Sequence, residues 1–181
     1  MKSIINILSL FITSFAMANI HLPAIFADGM VLQRNAEVTI WGNADPREEI
    51  TLKADFLDKE YKVKAANDAT FKITFKTPKE GGPYTISLKG YNEVSLKNVM
   101  LGEVWLMSGQ SNMEMPVRGF RGQPVYGSQP YIVTADPKRE LRLFTVKRDW
   151  STTPKEEGVT GHWSELSPKE VGDFSAVAYF F

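Results

Sequence analysis

The chain has 181 residues, 43% of them hydrophobic, enough for one full domain or for a small domain and part of another. Its 21 basic and 21 acidic residues cancel to a formal net charge of zero, which leaves neither the basic stripe of a nucleic-acid binder nor the acidic block of a solvating tail. The absence of cysteine excludes disulfides, thiol catalysis and Cys-based zinc sites, and two histidines, His21 and His162, are too few for a histidine-rich metal centre.

In chain order, Met1-Lys2 supplies a positive start, the run from Ile4 to Phe15 is mostly apolar, and Ala16-Met17-Ala18 fits an A-x-A cleavage site. Residues 1–18 therefore read as a secretory signal peptide. The apolar run is shorter than the roughly 20 residues of a spanning helix, so no stable membrane anchor is expected, and the expected location is secreted or periplasmic.

Residues 19–97 read as an antiparallel β-sandwich. Val38-Thr39-Ile40-Trp41 is a β-prone run closed by Gly42-Asn43. Tyr61, Val63 and Ala65 alternate with Lys62 and Lys64, and Phe71, Ile73 and Phe75 alternate with Lys72, Thr74 and Lys76. Tyr84, Ile86 and Leu88 repeat the pattern after a Gly81-Gly82-Pro83 turn. This period of two places apolar side chains on one sheet face and Lys or Thr on the other. Turn signals recur at Asn43–Pro46, Asn67-Asp68, Thr77-Pro78 and Gly90-Tyr91-Asn92, a spacing typical of short strands in a sandwich.

The pattern changes near residue 98. Val99-Met100-Leu101 and Val104-Trp105-Leu106-Met107 flank Gly102-Glu103 in a nearly continuous apolar run, as in a strand covered on both faces. A division at 97/98 is expected, with residues 98–181 opening an α/β domain. Residues 116–129 read as a long surface loop, and Leu141, Leu143, Thr145 and Val146 as a further strand. Ser167 is a good N-cap, Pro168 suits the first helical position and Glu170 completes a capping box. Val171, Phe174, Ala178 and Phe181 then follow as one helical stripe. That helix reaches Phe181 without a stop signal, and the α/β part is short for a domain, so a C-terminally truncated hydrolase domain is expected.

The apolar run breaks into Ser108-Gly109-Gln110-Ser111-Asn112. A serine hydrolase needs an exposed Oγ, a base to take its proton and backbone N–H groups aimed at the oxyanion. A serine just past a strand, with Gly109 allowing a tight turn, meets the first and third needs. On residue types alone the turn reads first as an ordinary strand-to-loop connection.

Gly109-Gln110-Ser111-Asn112-Met113 resembles the nucleophile block of the sialate O-acetylesterases and related carbohydrate acetylesterases, within the SGNH hydrolases. Five segments are similar to that family in its own order: FADGMVLQRN (26–35), VTIWG (38–42), GGPYTISL (81–88), VMLGEVWLMSGQSNMEMP (99–116) and FSAVAYFF (174–181). The sequence NDATFK at 67–72 departs from a Gly-Lys-Trp pattern at one sandwich turn. The resemblance implies a β-sandwich lobe followed by the start of a flavodoxin-like α/β/α hydrolase domain. It implies Ser111 as nucleophile, its own N–H in the oxyanion hole, and Gly109, Gln110 and Asn112 shaping the turn. The implied reaction removes O-acetyl groups from sialic acid or another acetylated glycan, through an acyl-serine and with no metal or organic cofactor. The family's base, in an Asp-x-x-His pair, and its other oxyanion-hole Gly and Asn are not matched here; they are expected beyond residue 181, so these 181 residues alone are expected to be inactive. An acetylxylan-type esterase and a non-catalytic glycan-binding module are the alternatives.

Arg118 and Arg121 follow the turn. Arginine pairs bidentately with carboxylates such as that of sialic acid, although a solvated loop is the preferred reading of both. His162, in Gly161-His162-Trp163, reads as a loop histidine rather than the base. Glu103 before Trp105 could orient a catalytic group but reads first as a strand-edge or bulge residue beside Gly102, and Glu114 reads as a helix-start charge. Met107, Met113 and Met115 read as packing around the turn, and Trp41 and Trp105 as core.

Overall fold

The computed structural model describes residues 19–153 and 158–181, so the expected signal peptide lies outside the described residues. The period-two segments form strands. In chain order these are β1 (Val31–Gln33), β2 (Glu37–Asn43), β3 (Glu49–Ala54), β4 (Tyr61–Lys64), β5 (Thr70–Lys76), β6 (Gly81–Lys89) and β7 (Glu93–Gly102). The alternation holds residue by residue in β5, where Phe71, Ile73 and Phe75 are buried and Lys72, Thr74 and Lys76 exposed.

Five strands form one sheet in the order β1-β7-β6-β3-β4, and β2 pairs with β5. Ile40, Phe71, Ile73 and Phe75 from the β2–β5 pair share a core with Ile50, Leu52, Ile86, Leu88, Leu96, Val99 and Leu101 from the larger sheet. Each fully buried Leu, Ile or Phe contributes roughly 1.5–3 kcal/mol by leaving water.

Several expectations need correction. The larger sheet is mixed, not antiparallel, because β1 runs parallel to β7 with Val31 opposite Met100 and Gln33 opposite Gly102. β6 already holds the other side of β7 as its hairpin partner, and the long connection from β1 to β7 leaves the direction of the edge strand free. Gly81-Gly82-Pro83 is not a turn but lies inside β6, where the register with β7 shifts. Gly82 has φ +132, and a Cβ there would come within 2.8 Å of Met100 Sδ and Val99 O, so glycine lets the bulged strand lie close to β7. The apolar run does not continue as a buried strand: β7 ends at Gly102, and Trp105 and Leu106 are 68% and 91% exposed. The 97/98 division falls inside β7, whose Val99 and Leu101 join the same core as Leu96.

The remaining elements are α1 (Gln129–Val133), β8 (Arg142–Phe144), β9 (Trp163–Glu165), α2 (Pro168–Asp173) and α3 (Ala176–Phe180), with 3-10 turns at Ser111–Glu114 and Pro137–Arg139. Val117, Leu143, Leu166, Val171 and Ala176 form their core. The Ser167 cap is present, its hydroxyl accepting from Glu170 N at 3.3 Å. The single helix expected through Phe181 is instead two. The chain is extended at Phe174, and Ser175 recaps α3 by accepting from Ala178 N at 3.4 Å.

Candidate active site

The helix break and the serine turn are one feature. Val117 N donates to Phe174 O at 2.9 Å, Arg118 N to Gly172 O at 3.0 Å and Ala176 N to Met115 O at 2.8 Å. Pro116 and Ser175 form an antiparallel bridge between them. Residues 172–176 satisfy the backbone of residues 115–118 and so cannot stay helical throughout. Val117 is fully buried beneath this pairing. The expected loop over 116–129 is therefore pinned at its start, and it ends in α1.

Ser111 opens the 3-10 turn Ser111–Glu114, and Gln110 before it is extended, with φ −101 and ψ −150. Met113 N donates to Gln110 O at 2.9 Å, closing the turn. A Cβ on Gly109 would come 2.7 Å from Met113 Cγ, so the glycine lets the chain pass close under the methionine. Gly109, Gln110, Ser111 and Asn112 are all exposed. Among the described residues no hydrogen bond engages the Ser111 hydroxyl, which stands open to solvent at the start of a turn whose first N–H groups lack intrahelical partners.

On the upstream side Glu103 is bound through both carboxylate oxygens. Gln33 Nε2 donates to Oε2 at 2.8 Å and Arg34 Nε to Oε1 at 2.7 Å. Gln33 Oε1 accepts from Val104 N at 2.8 Å, and Arg34 also pairs with Glu80 at 3.0 Å. The Gln33 amide, then Arg34, hold the Glu103 carboxyl below the usual glutamate range, while Glu103 raises Arg34. Gln33 and Arg34 carried no functional reading in the sequence; their signal was their place in the DGMVLQR segment.

Arg118 forms an ion pair with Asp173, and its Nη2 lies 3.2 Å from where a Gly172 Cβ would stand. It is engaged with α2. Arg121 is exposed, with no ion pair among the described residues. His162 is 73% exposed, with Nε2 3.7 Å from Glu170 Oε2 and no hydrogen bond to Ser111. Glu114 lies 3.4 Å from Arg148 Nε. Trp105, expected in the core, stacks edge-on against Phe181 with centroids 5.2 Å apart, whereas Trp41 packs edge-on against Phe26 at 4.5 Å. Among the described residues no cluster of three or more His, Cys, Asp or Glu is placed to hold a metal. A depression of about 180 Å³ lies away from the turn, between Asp28, Asn98, Arg142 and Trp163.

The chain is 34% identical over 170 residues to a sialate O-acetylesterase of Pongo abelii, an alignment covering 84% of this chain and 31% of that protein. The chain belongs to the sialate O-acetylesterase family. A sialate O-acetylesterase of Homo sapiens is 34% identical over 160 residues, with 76% of this chain and 30% of that protein covered. The chain thus spans about a third of these relatives' length. Its fold matches the crystal structure of a carbohydrate acetylesterase from Xanthomonas citri with TM-score 0.80 and 32% identity, over 89% of this chain and 35% of that one. No protein-family model matches. The segments that resemble the sialate O-acetylesterases meet in space: VLQR binds LGEVW through Glu103, and FSAVAYFF pairs with the residues after Ser111.

Proposed function

We propose that the protein is a serine carbohydrate O-acetylesterase, acting on O-acetylated sialic acid or another acetylated glycan. The observation that carries this is the open, unengaged hydroxyl of Ser111 at the head of a turn anchored on both sides, in a chain of this family. In the proposed reaction Ser111 Oγ attacks the acetyl carbonyl carbon and gives its proton to a histidine base. The Ser111 N–H donates to the oxyanion. The sugar hydroxyl leaves with the proton, and water hydrolyses the acetyl-serine. Gly109, Gln110 and Asn112 shape the turn. The base and the remaining oxyanion-hole donors are assigned to sequence beyond residue 181, so residues 19–181 alone should release no acetate. We assign the sheets sharing the first core to a β-sandwich lobe and residues after Gly102 to the start of an SGNH-type domain. The 1–18 segment supports export to the periplasm or medium.

The test is acetate release from O-acetylated sialic acid and acetylated xylan by the protein as its gene encodes it. Ser111→Ala should lower kcat by more than about a thousandfold, and the preferred substrate separates the sialate from the xylan reading. Full activity in Ser111→Ala would refute the serine mechanism. The second reading, a non-catalytic glycan-binding module, is favoured by one observation: no histidine hydrogen-bonds Ser111 among the described residues. It predicts glycan binding without acetate release by the wild type.

A further inference from the structure

We infer that Glu103, gripped by Gln33 and Arg34, is a positioning residue for Ser111. The inference rests on the reading of Ser111 as the nucleophile. Residues 105–110 make no ladder hydrogen bonds among the described residues, so the direction in which the chain leaves β7 is set where it departs. There a single amide, that of Gln33, donates to the Glu103 side chain at 2.8 Å and accepts from Val104 N at 2.8 Å. Arg34 takes the other Glu103 oxygen at 2.7 Å, while its own backbone N donates to Gly102 O at 2.9 Å. Along the observed exit path the Glu103 side chain and the Val104 N–H are satisfied together. A lone exposed ion pair adds little to stability, and the Arg34 and Glu103 side chains are 37% and 50% exposed. The cluster's effect is therefore on geometry more than on global stability. It acts on the upstream arm as the pairing of residues 115–118 with 172–176 acts on the downstream arm. A displacement of about 1 Å at a reacting atom costs on the order of 100-fold in rate.

The experiment uses the protein as its gene encodes it and reads two quantities. One is kcat and KM for acetate release from O-acetylated sialic acid; the other is backbone amide exchange over residues 103–112. Glu103→Ala should lower kcat roughly 10- to 100-fold, with KM within about twofold, and should speed exchange at Val104. Glu103→Gln, which keeps the shape and one acceptor, should lie between, and serves if Glu103→Ala does not fold. The charge reversal Arg34→Glu with Glu103→Arg should recover part of the kcat lost in either single variant. Wild-type kcat in Glu103→Ala or Glu103→Gln, beside an inactive Ser111→Ala, would overturn the positioning role and leave the serine reading standing. Full activity in Ser111→Ala would overturn both.

Discussion

Glu48 shows how much a single side chain can hold in this fold. It is 1% exposed, and its two oxygens accept from Asp45 N at 2.9 Å and Tyr91 N at 2.5 Å. One carboxyl thus ties the turn before β3 to the turn between β6 and β7. No room remains for a Cβ on Gly90, which would strike Glu48 Oε1. Glu48→Ala would remove the acceptor of both part-buried hydrogen bonds, so we expect a loss of about 1–3 kcal/mol, measured by urea unfolding. In the sequence Glu48 sits between Arg47 and Glu49 and looks solvated. Its burial follows from two turns meeting, which no local pattern encodes. The turn at Ser111 was legible for the opposite reason: the strand exit, the glycine and the serine are contiguous. The family resemblance is what supports the proposed reading of that turn as a nucleophile turn.

At the level of elements, β9 is tied to β7 by a compact polar cluster. Arg142 Nη2 donates to Asn98 Oδ1 at 3.1 Å, Asn98 Nδ2 donates to Glu165 Oε1 at 3.0 Å, and Arg142 pairs with Glu165. Arg142 first, and then Asn98, hold the Glu165 carboxyl below its ordinary value of 4.5. Its contribution to stability is whole above that pH and is lost as pH falls through the lowered native value. Thermal unfolding midpoints followed downward from pH 5 should fall more steeply in the wild type than in Glu165→Gln; equal slopes would show that the cluster does not couple to folding. The α2 start was readable because a cap is local, with Ser167, Pro168 and Glu170 adjacent. The break at Phe174–Ser175 was not, because it is imposed by backbone pairing with residues 115–118. The run at 104–107 misled for a related reason. Hydropathy reports that burial is favourable, but among the described residues no strand pairs with 104–107.

At the scale of the whole molecule, the alternation in β4, β5 and β6 was enough to foresee a mostly β N-terminal part. The parallel β1–β7 contact was not foreseeable, since an edge strand joined through so long a connection carries no mark of its direction. That contact nevertheless delivers Gln33 and Arg34 to Glu103 at the exit of β7. In the proposed reaction Ser111 carries the acetyl group. The most direct measurement is peptide mass mapping of the gene's full protein, acid-quenched during turnover of O-acetylated sialic acid. One acetyl group on the peptide containing Ser111, absent from Ser111→Ala, is the expected result. Steady acetate release with no acetyl on that peptide, or with the acetyl on another residue, would contradict it.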